Sequence, residues 1–517
     1  MKAADLAVPE SDTPLEPAEP RAKHKSTSFV GDALKLLSGS VFAQVLSLAA
    51  SPLLARLYGP EAFGLSALFT SITGLVAVVV CLRYELAIML PESDEEAANL
   101  FAGSLAIAFL MTLSTVPLVW LGRPFIVRLL NAPELAPYFW LVPIVTFFGG
   151  IAMGHPALNY WSSRSRRFGR LSRTRVISST VTTATEIGAG FAGYVTGGSL
   201  IGARVAGSII STSVLAIQTF RDDGRLLLRS VRWRSVLAGL KQHYKFPLYT
   251  TWSSLLNTVS SQLPAFLLSA FFSSAVVGYY ALGYRLLGLP MSLFGGSVSQ
   301  VFFQRAAEAR VQGRLAVLVE GAFRRLVMFG TFPILLLTII GRDLFVVVFG
   351  ERWAEAGVYT QILSTWVFFQ LMSGPLSTLF SVLQRQEMGL RVNLLLIITR
   401  FLALGIGGLL GNARLALALF SASGILGYGW MCIWILKASQ VPRAQVLQVL
   451  SRYLGVSIVI LLPLGLAKCL LPVPPLLSLV AAAIASGVYA YFVIRSEPQL
   501  GANLARFVSS GGWRRKK

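Results

Sequence analysis

Apolar runs long enough to cross a bilayer recur along this 517-residue chain, and little of comparable length separates them. A stretch of about 20 apolar residues in lipid must satisfy its backbone hydrogen bonds internally, so such a chain folds as a bundle of membrane helices. The runs define fourteen spans: 36–55, 62–82, 98–120, 138–160, 174–194, 198–219, 247–271, 277–303, 322–341, 357–383, 391–411, 413–436, 453–471 and 475–495. Hydrophobic residues make up 55% and charged residues 13%, which excludes an ordinary soluble domain. The expected class is all-α and polytopic. Residues 1–35 are polar and proline-bearing and have no apolar core, so a disordered cytoplasmic tail is expected rather than a cleaved signal.

The net charge of +22 suggests nucleic acid until its distribution is read. Of the 45 Lys and Arg residues, 35 fall in the tails and loops on the side of the N-terminus, and seven fall in the opposite loops. The remaining three, Arg204, Arg285 and Arg400, fall inside helices. This asymmetry obeys the positive-inside rule and predicts an inner-membrane protein with both termini in the cytoplasm and no nucleic-acid partner. The clusters Arg164-Ser165-Arg166-Arg167 and Arg514-Arg515-Lys516-Lys517 are expected against anionic lipid headgroups.

Residues 51–71 and 265–285 align without a gap at an offset of 214. Leu53-Leu54, Gly64 and Ala67-Leu68 become Leu267-Leu268, Gly278 and Ala281-Leu282, while Ser40, Gln44 and Ser47 become Ser254, Thr258 and Ser261. A duplicated membrane half with a polar seam is how many secondary transporters are built. The offset predicts an N-lobe of six helices (36–219), a basic linker lying on the membrane surface (220–246) and a C-lobe of six helices (247–436). Six spans per lobe make the repeats parallel. The two C-terminal helices, within 437–495, have no counterpart, and 496–517 is a basic cytoplasmic tail.

Ionisable residues inside a span are costly and mark cavities or partners. Arg285 lies about 8 residues into the eighth span, ~12 Å deep at 1.5 Å per residue, with Ser292 on its face and no acid nearby on its own helix. Gln44 on the first span and Asn257 on the seventh extend the polar seam, although small-residue helix packing also enriches such faces. Arg285, Arg400 and Arg204, with Ser292, Gln44 and Asn257, are therefore the candidate substrate-binding residues. Guanidiniums select oxyanions such as phosphate, and the hydroxyls and amides suit sugars. Glu186 either couples transport to an ion or pairs with Arg204 or Arg400. Glu85, on the seam of the second span, and His155, before Pro156, are the other coupling candidates. Cys81, Cys432 and Cys469 have no metal-ligand spacing and are taken as packing residues, so no metal site is expected.

Three stretches carry a family resemblance. They are Leu57-Tyr58-Gly59-Pro60-Glu61-Ala62-Phe63-Gly64, then Leu82-Arg83-Tyr84-Glu85-Leu86-Ala87, then Asp94-Glu95-Glu96-Ala97-Ala98-Asn99-Leu100. With Pro156-Ala157-Leu158-Asn159-Tyr160-Trp161 and Pro375-Leu376-Ser377, the chain resembles Wzx-type lipid-linked oligosaccharide flippases of the multidrug/oligosaccharidyl-lipid/polysaccharide superfamily. The resemblance implies two six-helix lobes around a cationic cavity, and a polyprenyl-pyrophosphate-linked oligosaccharide as cargo. It also implies transfer from the cytoplasmic to the periplasmic leaflet by alternating access. No cofactor is implied beyond a coupling H+ or Na+, and partners would be a polysaccharide polymerase and a chain-length regulator. A drug or cation antiporter of the same superfamily would instead place acids in the membrane. A membrane glycosyltransferase or polymerase would need a large external loop, and no such loop exceeds about 30 residues. A nonenzymatic scaffold in the assembly complex is the remaining reading.

Overall fold

The computed structural model describes residues 29–149, 155–294 and 296–497, with side chains omitted at 29–37, 290–301 and 304. The 1–28 part of the N-terminal tail, the 498–517 part of the C-terminal tail and the side chain of Ser292 lie outside the described residues. Helices run in the order α1 (Phe29–Leu57), α2 (Pro60–Val79), α3 (Asp94–Leu129), α4 (Leu141–Phe147), α5 (Pro156–Arg164), α6 (Phe168–Phe191), α7 (Gly197–Ser230) and α8 (Trp233–Gln242). They continue as α9 (Thr251–Phe271), α10 (Ser274–Phe294), α11 (Gly296–Val311), α12 (Leu315–Phe349), α13 (Ala354–Ser373) and α14 (Leu379–Val382). The last four are α15 (Gln386–Leu409), α16 (Ala413–Ala438), α17 (Arg443–Leu470) and α18 (Pro475–Ser496). Among the described residues nine helices are long and apolar enough to cross a membrane.

Local chemistry sets the helix ends. Pro60 occupies the first turn of α2, where its missing N–H costs nothing. Ser93 caps α3 by accepting from the Glu96 amide at 3.3 Å, ahead of Asp94, Glu95 and Glu96, whose charges suit the positive end of the helix dipole. The fourth and tenth spans are broken: α5 begins at Pro156 after an extended His155, and α13 stops before the turn Pro375–Thr378. Long apolar side chains stay exposed on α3 (Phe109, Leu113, Trp120, Phe125) and on α17 and α18 (Val459, Leu470, Leu477, Ile484), as lipid-facing surfaces require.

Helices α1 and α9 end at Leu57 and Phe271, and α2 and α10 begin at Pro60 and Ser274, both at the 214 offset. The two copies meet where the repeat is best kept. A Cβ on Gly64 would overlap the carbonyl of Ser274, and one on Gly278 would overlap the carbonyl of Pro60. At this end the α1 carbonyl of Ala55 accepts from Trp353 Nε1 at 2.8 Å and from Arg352 Nη2 at 2.7 Å. Arg352 also reaches the Arg56 carbonyl, so a cation sits on the negative end of the helix dipole. The mirror contact joins the end of α9 to the N-lobe: Asn131 Nδ2 donates to the Phe272 carbonyl at 3.4 Å, and Ser269 Oγ to that of Leu130.

One sequence expectation is corrected. Arg164 and Arg167 are engaged within the protein rather than left free for headgroups, because carboxylates and open carbonyls lie at the same end. Arg164 donates to the carbonyls of Ile88 (3.1 Å) and Pro91 (2.8 Å) and pairs with Asp94 at 3.1 Å. Arg167 pairs with Asp222 at 3.4 Å, and Arg170 pairs with Asp222 and Asp223 at 2.9 Å each. The linker is packed onto the N-lobe: α7 continues to Ser230, and α8 packs on α3, with Leu240 and Val236 against Gly103 and Gly239 against Leu100. Asn99 fixes the join by donating to the Ser230 carbonyl (3.1 Å) and accepting from the Arg232 amide (2.9 Å).

Gly64→Ala and Gly278→Ala are expected to destabilise the purified protein by about 1–3 kcal/mol, as overpacking does. Gly74→Ala is the control, since its Cβ would meet only Gln262 Nε2 at 3.6 Å. Equal thermal unfolding of all three would refute the interlobe contact.

Candidate functional site

A polar cavity of about 520 Å³ opens among α1, α2, α6, α7 and α10. It is lined by Ser40, Gln44 and Ser47 of α1, Thr70 of α2, Arg175, Ser178, Ser179, Thr182, Thr183 and Glu186 of α6, Arg204 of α7 and Arg285 of α10. Two glycines bring the three N-lobe walls together. Gly39 of α1 lies against Ser172 of α6, and Gly207 of α7 lies against Thr182 and Ser178 of α6. A side arm of about 270 Å³ shares Thr70, Arg204 and Arg285 and adds Ser71, Ser261, Gln262, Tyr280 and Tyr284.

The cavity holds three guanidiniums against one carboxylate. Arg285 Nη2 donates to the Ser47 carbonyl at 3.0 Å and to the Ser47 hydroxyl, so this C-lobe arginine rests on an N-lobe helix. Arg204 Nε lies 3.6 Å from Glu186 Oε1, the first of the two pairings left open by the sequence. Arg175 Nη1 donates to Ser40 Oγ. Ser71, which occupies the repeat position of Arg285, donates to Gln262 Oε1 at 3.0 Å. Hydroxyls and carbonyls can hold a guanidinium without discharging it, so the site retains net positive charge for an oxyanion.

Arg285, Arg204, Gln44 and Glu186 are thus brought together, and Arg400, Asn257, Glu85 and His155 are not. Arg400 is corrected: it sits inside the C-lobe, with Cζ 5.5 Å from the Trp366 ring, 5.2 Å from Phe420 and 5.8 Å from Tyr428. Its Nη2 donates to Tyr428 Oη at 3.3 Å. Electron-rich ring faces stabilise the cation there without an acid. Tyr280 and Tyr284, stacked at 5.6 Å, stand between this cage and the cavity arm, with Tyr284 stacked in turn on Trp366 at 6.1 Å.

Asn257 is exposed on α9 and lines neither cavity. Glu85 lies past the end of α2, in the turn Tyr84–Met89, rather than on a lumenal face. It is buried 3.5 Å from Arg83, and burial pushes its carboxyl up against the opposing pull of that arginine. His155 is buried ahead of Pro156, also outside the cavity.

The residue that sequence reasoning missed is Arg175, which it grouped with the basic loop 160–175. The signal was present: Ser179, Thr182 and Glu186 follow it at +4, +7 and +11, one face of a helix. Among the described residues no group of three or more His, Cys, Asp or Glu side chains is placed to hold a metal.

Arg400→Lys is expected to lower the unfolding temperature more than Arg400→Met, because an ammonium is more strongly hydrated and cannot stack as the planar guanidinium does. A Lys variant as stable as wild type would contradict the caged cation.

A family model described as polysaccharide biosynthesis protein matches residues 53–358, more than half of the chain. Over 168 residues the chain is 27% identical to an uncharacterized membrane protein in cps region of Klebsiella pneumoniae, covering 32% of this chain and 34% of that protein. Over 298 residues it is 23% identical to the lipopolysaccharide biosynthesis protein WzxC of Escherichia coli (strain K12), covering 57% of this chain and 58% of that protein. The chain spans less than three fifths of the length of these curated relatives. Its fold is that of the lipid II flippase MurJ in the inward closed conformation, with a TM-score of 0.69 over 90% of this chain and 99% of that one, at 14% identity.

Proposed function

This chain belongs to the polysaccharide biosynthesis protein family, and on that premise we propose that it is a flippase for a polyprenyl-pyrophosphate-linked oligosaccharide. The observation that carries the reading is the cavity's charge: Arg175, Arg204 and Arg285 against Glu186. A site with this balance attracts a diphosphate and repels the cationic cargo of a drug antiporter. The diphosphate binds the guanidiniums, the oligosaccharide fills the hydroxyl-lined space, and the polyprenyl chain stays in lipid. Rocking of the lobes then exchanges the open side, moving cargo from the cytoplasmic to the periplasmic leaflet of the inner membrane without a catalytic step.

The basic loops support cytoplasmic termini. Glu186, as the counter-ion of Arg204, is the group through which H+ or Na+ would be coupled: a carboxylate that is protonated or cation-bound frees Arg204 for the cargo. A polysaccharide polymerase and a chain-length regulator would receive the product.

In cells with normal levels of the protein, Arg285→Ala is expected to abolish surface glycan and Arg285→Lys to restore only part of it, since an ammonium lacks the bidentate fork. Wild-type display in both would sink the role of Arg285. Glu186→Gln is expected to bind pyrophosphate more tightly yet export less glycan. Looser binding in that variant would show that Glu186 is not the competing anion.

A further inference from the structure

We propose that Arg175 forms a second anion-binding station, at which the carrier's diphosphate is held before it passes to Arg285 and Arg204. The inference rests on the anionic cargo proposed above. It gives Arg175 a place in the order of events that the cargo alone does not imply.

Arg175 is the eighth residue of α6, two turns past the helix start, and its side chain is half-buried in the cavity wall rather than spread over a loop. It donates to Ser40 of α1, whereas Arg285 donates to Ser47 of the same helix. Seven residues separate those two serines, so the two guanidiniums are held about 10 Å apart along the cavity at 1.5 Å per residue. The two guanidiniums are therefore offset along the cavity, and an anion entering from the end of α6 that carries the basic loop meets Arg175 first.

Arg204 at the deeper position already has Glu186 at 3.6 Å. Among the described residues Arg175 pairs with no carboxylate. It also lies toward the end of α6 that carries the basic loop, on the side from which a cytoplasmic cargo arrives. A guanidinium held by a hydroxyl rather than a carboxylate attracts the anion from a distance, while the partly neutralised pair beyond it holds the anion without trapping it. The hydroxyls of Ser178 and Thr182, on the α6 wall between the two positions, can solvate a phosphate in transit.

The two stations predict different kinetics, because a charge at a rim governs association and a charge at a buried contact governs dissociation. The test uses the full-length protein in nanodiscs of zwitterionic lipid, with radiolabelled inorganic pyrophosphate as probe and rapid filtration as readout. Arg175→Ala is expected to slow association about tenfold and flatten its salt dependence while leaving dissociation unchanged. Arg285→Ala is expected to speed dissociation. Arg175→Lys should restore most of the association rate. If Arg175→Lys is as slow as Arg175→Ala, Arg175 serves only the α1–α6 contact and the station is overturned. Wild-type association in Arg175→Ala overturns it as well. Wild-type protein that binds no pyrophosphate overturns the cargo reading itself, a result distinct from failure of the station alone.

Discussion

The architecture depends on one backbone-to-backbone contact between the lobes. Gly64 of α2 lies against Ser274 and Gly278 of α10, and Gly278 lies against Pro60 and Gly64 of α2. Ser274 and Gly278 are the repeat positions of Pro60 and Gly64, so equivalent residues meet each other across a pseudo-twofold axis. Any side chain at either glycine would separate the helices, and with them the end contacts of α1 at Arg352 and Trp353 and of α9 at Leu130 and Asn131. Ser47, the deepest cavity residue of α1, lies about 15 Å from the sealed end of that helix. The interlobe contact thus lies on the side of the cavity opposite the basic loops.

A bilayer chain that carries arginines inside must stabilise each of them, and this one does so in different ways with different consequences. Arg400 is enclosed by Trp366, Phe420 and Tyr428, which satisfies the cation and also removes it from any ligand. Arg204 is held by Glu186. Arg175 and Arg285 rest on hydroxyl and carbonyl oxygens, the weakest partners of the set and therefore the easiest for a phosphate to replace. Intramembrane position alone does not mark a binding residue; the chemistry of its resting partner does.

This difference explains what the sequence disclosed. The apolar runs, the prolines at 156 and 375 and the Gly64/Gly278 repeat are local or periodic signals, and among the described residues they answer to nine helices of spanning length, two breaks and one interlobe contact. Arg285, Arg204, Gln44 and Glu186 were legible because each interrupts a face of small and apolar residues. The cage around Arg400 was not, since Trp366 comes from α13 and Phe420 and Tyr428 from α16, and nothing in the spacing brings these rings to Arg400. Arg175 was hidden by a boundary: a hydropathy window begins the fifth span at residue 174, yet α6 begins at Phe168, because Arg170 is neutralised by Asp222 and Asp223 and extends the helix into a polar stretch.

The repeat is most informative where it is broken. Positions 71 and 285 are equivalent, and each reaches from the second helix of its own lobe toward the first helix of the other: Ser71 to Gln262 on α9, Arg285 to Ser47 on α1. The geometry is shared, but only one of the two carries charge. Arg285 therefore does two things that Ser71 does not. It supplies the C-lobe's charge to a wall otherwise built by α1, α2, α6 and α7, so a phosphate held there lies to one side of the axis. It also ties the lobes together through the very donors that an anion would take. A ligand on Arg285 exchanges an interlobe hydrogen bond for one to itself, and so interacts unequally with the joined and separated arrangements of the lobes. Such a differential interaction is what a ligand needs in order to shift a conformational equilibrium, and a symmetric pair of serines would not provide it.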